Sequence, residues 1–166
     1  GGNERAAGVA VSPEGHVIAV GSSQETYDPN FGTGYYRMVT RKIHGQTGAA
    51  LWTQRYAGEL ESFGRFVAVT PYGEVLAAGF GGAARLIKYA GADGAVIWET
   101  AYQGTSPNSG DSIQSINFKG LALGPGGSAA FGVYSDGDWA AVVFAPDGDA
   151  DNDGLPDSTD PDDDND

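Results

Sequence analysis

The chain has 166 residues with nine Lys and Arg, 22 Asp and Glu, and no cysteine, for a formal net charge of -13. That length bounds it to about one ordinary domain with a real core, and the missing cysteines exclude disulfides, thiolate metal sites and a cysteine nucleophile. Ten of the acids are Asp residues between 147 and 166, a stretch without Lys or Arg, so the remainder carries twelve acids against nine bases and lacks the basic footprint that nucleic acid or an anionic membrane surface demands.

The start, Gly1-Gly2-Asn3-Glu4-Arg5, has no basic-then-apolar leader and reads as internal to a longer protein. No run approaches the roughly twenty apolar residues of a membrane-spanning helix, so no membrane insertion is expected of this segment. Glycine is abundant at 27 residues, and apolar residues fall in short clusters, a pattern of many short strands and tight turns. The expected fold class is all-β.

Taken in chain order, the first element pair is Gly8 to Val11, a Pro13-x-Gly15 turn, and Val17 to Gly21. The stretch from Ser22 to Tyr36 interrupts the apolar pattern and is expected to form an aromatic-rich loop, with Tyr27, Phe31, Tyr35 and Tyr36 as candidate ligand contacts or as rings that pack the loop down. A second pair follows, in which Gly48-x3-Trp52-x3-Tyr56 closes the unit. Phe66 to Gly79 then repeats Gly8 to Gly21 at a spacing of 58 residues, Pro71-x-Gly73 included, and Gly94-x3-Trp98-x3-Tyr102 repeats the second motif. Gly79 to Ala84, superficially a phosphate-binding glycine run, leads into no helix and is expected to be a hairpin turn. After the segment 103–119, a third copy runs from Gly120 to Gly132. Trp139 to Phe144 continues it, but no fourth strand with Trp follows. Side chains alternate along a strand, so Trp and the Tyr four places on share one face, where both rings can pack against a neighbouring unit. Fixed-period units of four strands imply stacking or radial repetition.

The apolar strand, Pro-x-Gly turn, apolar strand ending in Gly, and then Thr47-Gly48-x3-Trp52 or Asp93-Gly94-x3-Trp98 resemble bacterial propeller repeats of the pyrroloquinoline-quinone-like superfamily over residues 6–145. The resemblance implies antiparallel four-stranded blades and a partial β-propeller of about three blades over residues 1–146. Propellers have four to eight blades, so the chain is expected to be part of a larger ring. The superfamily includes quinone-dependent dehydrogenases that also bind calcium, which keeps a quinoprotein-type enzyme as an alternative, although no residues here suggest a quinone pocket.

The remaining twenty residues are Asp-rich. Asp149, Asp151 and Asp153 alternate and Gly154 follows. A hard cation such as calcium takes six to eight oxygens at roughly 2.3–2.6 Å, so alternating carboxylates can converge on it while Gly turns the chain back. Leu155 would add its backbone carbonyl, and Asp157 and Asp160 fall where the later ligands of such a loop sit. Pro156 and Pro161 argue against a helix after the loop. Asp160, Asp162 and Asp164 restart the alternation. Residues 149–166 resemble bacterial thrombospondin type 3 repeats, which implies an extracellular, calcium-stiffened linker. A solvated acidic tail is the simpler alternative.

His16 and His44 accompany no nucleophile motif and are expected to be surface or turn residues. Trp52 and Trp98 occupy equivalent repeat positions, which favours packing between units over a cofactor platform. The expected function is therefore that of a secreted or surface-attached, non-catalytic calcium-binding protein with Ca2+ as cofactor. Its propeller serves binding or structural display toward a protein or glycan ligand, and a carbohydrate-binding propeller is a further alternative.

Overall fold

The computed structural model describes residues 3–28, 33–56, 58, 61–102, 120–124, 128–135 and 138–144, with the side chains of 25–28, 33, 133–135 and 138–140 excepted. Among these there are eleven strands and no helix. They are β1 (Glu4–Val11), β2 (Val17–Asp28), β3 (Thr33–Ile43), β4 (Ala50–Arg55), β5 (Phe63–Val69), β6 (Val75–Gly81), β7 (Ala83–Tyr89), β8 (Val96–Tyr102), β9 (Gly120–Leu123), β10 (Ala129–Ser135) and β11 (Asp138–Phe144). They form three antiparallel meanders: sheet A (β1-β2-β3-β4), sheet B (β5-β6-β7-β8) and sheet C (β9-β10-β11). The all-β expectation and the division into repeated units hold, and the described part of the third unit has three strands.

The repeat in the sequence is also a repeat of local geometry. The Pro-x-Gly turns close with Gly15 donating to the Ser12 carbonyl (2.8 Å) and Gly73 to that of Thr70 (3.0 Å), with positive φ at both glycines. The turns before β4 and β8 each carry a left-handed glycine, Gly48 at φ 73° and Gly94 at φ 76°. In these turns Gly48 donates to the His44 carbonyl and Gly94 to that of Ala90, both at 2.9 Å. Ladder irregularities recur as well. The pairing of β1 with β2 shifts between Ala6 and Gly8, and that of β5 with β6 between Gly64 and Phe66. Leu51 and Ile97 are each skipped in the register with the preceding strand, which turns both outward and accounts for their exposure. Gly82, at φ 66°, joins β6 to β7 as the expected hairpin.

One expectation is corrected. The segment 22–36 is mostly strand: β2 runs to Asp28 and β3 begins at Thr33, paired through Tyr27–Gly34 and Asp28–Thr33 beyond an irregularity between Gln24 and Thr26. Backbone hydrogen bonds carry the ladder where apolar alternation has stopped. Glu4 and Arg5 open strand β1.

Sheet B lies between the other two. Val75, Ala77, Ile87 and Tyr89 face sheet A and pack with Ile18, Val20, Met38, Trp52 and Tyr56. Their alternates Leu76, Ala78, Ala84 and Leu86 face sheet C and pack with Ala129 and Phe131. β6 is thus buried on both faces, which explains its unbroken apolar run. Strand β5 meets β1 on one side and β9 on the other, so the first strands of the three units are neighbours. Small residues permit this approach: a Cβ at Gly64 would lie 2.5 Å from Val20 Cγ2.

Candidate functional site

Two regions of the described surface combine shape with polar chemistry: the junction of sheets A and B at the turn end, and a cleft between the same sheets at their outer edge.

At the junction, Lys42 of β3 and Trp52 of β4 both donate to the carbonyl of Gly91, in the turn between β7 and β8, at 2.8 and 3.1 Å. The indole of Trp52 also covers Gly94, where a Cβ would stand 2.7 Å from Cδ2. The Trp motif foreseen as packing between units therefore does so here. Both lysines of the repeat are buried. Lys42 also lies 3.7 Å from Glu14, and Lys88 pairs with Glu74 at 2.7 Å. The Glu14 carboxyl is held below the usual glutamate range, chiefly by hydrogen bonding from Ser12 and its own backbone N–H, with Lys42 and His16 adding favourable charge. Sequence reasoning passed over these lysines. The available signal was a Lys ten residues ahead of each motif Trp, at 42 and 52 and again at 88 and 98.

His16 and His44 sit beside this junction with ring centroids 4.9 Å apart. His16 Nδ1 accepts from the Gly45 N–H at 3.4 Å, and His44 Nδ1 accepts from those of Gln46 and Thr47 at 3.3 Å. A ring whose Nδ1 accepts carries its proton on Nε2 when neutral. These are turn residues that serve backbone donors, as expected from their positions.

The cleft has a volume of about 360 Å3 and is lined by Gln54, Arg55, Tyr56, Tyr89, Val96 and Glu99 among others. Arg85 stands over the Tyr56 ring at 4.9 Å and pairs with Glu99 at 2.7 Å, while Arg37 donates to the Tyr56 carbonyl at 3.1 Å. Burial pushes the Tyr89 phenol up to about 12, with the nearby Thr40 hydroxyl opposing the shift. Two tyrosine rings edged by charged pairs give a concavity whose wall mixes aromatic and charged groups in about equal measure.

The aromatic candidates in the hairpin divide. Tyr35 is 43 % exposed on β3. Tyr36, on the opposite face, packs against Phe63 (centroids 5.5 Å) with the Arg5 guanidinium 5.8 Å above its ring, so it holds β3 to β5. The backbone of Tyr27 belongs to β2, but its side chain and all of Phe31 lie outside the described residues. So do the predicted metal ligands Asp149, Asp151, Asp153, Leu155, Asp157, Asp160, Asp162 and Asp164, and the segment 103–119. Among the described residues no three His, Asp or Glu side chains gather as metal ligands.

No family model matches this chain, and no curated protein matches it. Among solved structures, a protein of unknown function from Bacteroides caccae is similar, with a TM-score of 0.53 and 13% identity. The match covers 87% of this chain and 47% of that one, so this chain spans about half of the neighbour's length, and the likeness is one of fold.

Proposed function

We propose that this chain is the calcium-binding part of an extracellular, non-catalytic protein in which three blades of a β-propeller act as a binding or display module and the Asp-rich segment 147–166 stiffens under calcium. The observation that carries the propeller reading is the reuse of one interface. The face of sheet A holding Ile18 and Val20 meets the opposite face of sheet B, and the equivalent face of sheet B, holding Leu76 and Ala78, meets sheet C. Consecutive meanders of four, four and three described strands, stacked face to face with their first strands β1, β5 and β9 adjacent, fit radial repetition. The cleft between sheets A and B supports the binding role, because a rigid scaffold with an aromatic groove can hold a protein or glycan segment.

The calcium role rests on the alternation of Asp149, Asp151 and Asp153 ahead of Gly154. Without metal, these carboxylates repel one another; with it, they share one cation. Calorimetric titration of the full chain should release heat as calcium approaches roughly millimolar levels, the range of extracellular modules. Limited proteolysis should then spare the segment after Phe144. A flat titration with unchanged cleavage would remove calcium from the proposal.

A further inference from the structure

We infer that the outer edge of β4 is a pairing site for an extended peptide strand that carries a basic side chain between two apolar ones, its inward residues filling the cleft and covering the bare face of β8. The inference rests on the reading of that cleft as a binding site and names its occupant.

Side chains alternate along β8, and its two faces fare differently. Trp98 and Tyr102 pack toward sheet C. Val96, Glu99 and Ala101 stand beside Tyr89, Ile87 and Arg85 of β7, on the face of sheet B that meets sheet A, yet all three are exposed, Val96 at 57 %. An offset between the sheets explains this. Sheet A reaches only as far as β7: Trp52 of β4 lies against Tyr89 with ring centroids 6.0 Å apart, and the Tyr56 ring lies under the Arg85 guanidinium. β4 is the last strand of sheet A, so among the described residues no strand pairs with its outer edge and none continues sheet A over β8. The cleft of about 360 Å3 is the space that one more strand of sheet A would enter.

A strand added there bonds through its backbone about 4.8 Å beyond β4, and its alternate side chains point onto β8. Three rows receive them. The first lies between Trp52 and Val96 and is apolar, and the third lies between Tyr56 and Ala101, a ring facing a methyl group. In the second, between Gln54 and Glu99, the Glu99 side chain is 35 % exposed although it pairs with Arg85. Alternation takes the Arg55 side chain to the other face of sheet A, with Val39, Arg41 and Thr53, so it does not offset Glu99. The fitting inward pattern is therefore apolar, cationic, apolar, which reads the same in either chain direction, and a net charge of -13 favours the same basic partner. A sugar ring would need an open aromatic face. Tyr56 and Tyr89 are only 9 % and 2 % exposed, whereas the edge of β4 offers the backbone groups that a peptide strand uses.

The test uses the full chain and fluorescein-labelled peptides of six residues, the length of β4, read by fluorescence anisotropy. Thr-Val-Thr-Lys-Thr-Val should bind about tenfold more tightly than the same peptide with Asp for Lys, because the carboxylate would meet Glu99. Glu99→Gln should weaken the Lys peptide roughly fivefold and narrow that gap. Methylating alternate backbone nitrogens of the Lys peptide distinguishes edge pairing from loose adsorption: one set faces β4 and its methylation should abolish binding, while methylation of the other set should leave it intact. Equal affinity for the Lys and Asp peptides, an unchanged affinity in Glu99→Gln, or equal effects of the two methylated sets would each overturn the proposal. So would self-association of the chain in sedimentation that the Lys peptide does not reverse, which would make the β4 edge of a second copy the occupant. A glycan array separates this from failure of the binding role. Glycan capture that is lost in Gln54→Ala, with no peptide bound, would overturn the peptide strand alone, and silence of both probes would remove the binding role with it.

Discussion

Gly48 and Gly94 form a matched pair in which one residue reports backbone strain alone and the other reports strain plus a ring. Both are left-handed, at φ 73° and 76°, so alanine at either should cost about 1–2 kcal/mol from the backbone. At Gly48 the new methyl finds no atom within 4 Å. At Gly94 it would stand 2.7 Å from Trp52 Cδ2 and 2.8 Å from Cε3, and these are ring atoms of a buried side chain that is also tethered to the Gly91 carbonyl. Displacing such a ring should add about 1–3 kcal/mol, the usual cost of overpacking. In a chain of this size each kcal/mol moves the melting temperature by roughly 2–4 °C. Gly94→Ala should therefore melt several degrees below Gly48→Ala, and its tryptophan emission should shift red as Trp52 is pushed toward water. Indistinguishable midpoints with unchanged emission would show that the indole is not seated on Gly94, and the inter-sheet junction would lose its central contact.

Other outcomes follow from the same geometry. Lys88→Met leaves Glu74 without its 2.7 Å partner, but Glu74 is partly exposed and still bonded to Thr70. The loss in urea should be about 1–3 kcal/mol, less than for a fully buried pair. Lys42→Met should cost less, about 1 kcal/mol, because Trp52 still satisfies the Gly91 carbonyl and Glu14 is largely exposed; the reverse order would contradict the assigned partners. Tyr89, raised to about 12 by burial, holds its proton more tightly folded than unfolded. Its contribution is thus fully present below about pH 10 and is lost as pH rises toward 12, by about 2–3 kcal/mol in total. Tyr89→Phe should flatten the alkaline limb of a stability profile across that window, and an unchanged limb would show that the phenol is not buried as described. Tyr36→Ala should destabilise by about 1–3 kcal/mol through lost packing on Phe63, whereas Tyr35→Ala should stay within about 0.5 kcal/mol. Only Tyr35→Ala can then weaken glycan or protein capture without unfolding, which array binding at matched stability would register.

The parts of the fold legible in the sequence are those where one physical constraint acts alone. Gly15, Gly73, Gly48 and Gly94 announce turns because only glycine takes their left-handed backbone without strain. Trp52 and Tyr56 announce an interface because two large rings on one strand face need a neighbour. The strand pairing of 22–28 with 33–38 was hidden because Ser22, Ser23, Gln24, Thr33 and Gly34 read as loop residues, while a backbone ladder asks nothing of its side chains. The lysines were hidden for the opposite reason. A charged residue within a strand reads as solvent-facing, and Lys42 and Lys88 are buried only because a carbonyl and a carboxylate, distant in sequence or across the sheet, wait for them. The cleft beside Tyr56 and Tyr89 is a product of how two sheets meet, which no local pattern encodes.

The same reasoning gives the stack a direction. Burying a lysine is tolerable only where acceptors are already in place, so Lys42 and Lys88 mark faces that are meant to be covered. At the equivalent place in sheet C stands Val143, 66 % exposed, a residue that leaves no charge stranded whether or not another sheet follows. At sheet A the matching turn glycine, Gly48, would meet no atom within 4 Å of an added Cβ, so the two outer faces of the described sheets differ: one presents an open glycine turn and the other an exposed valine.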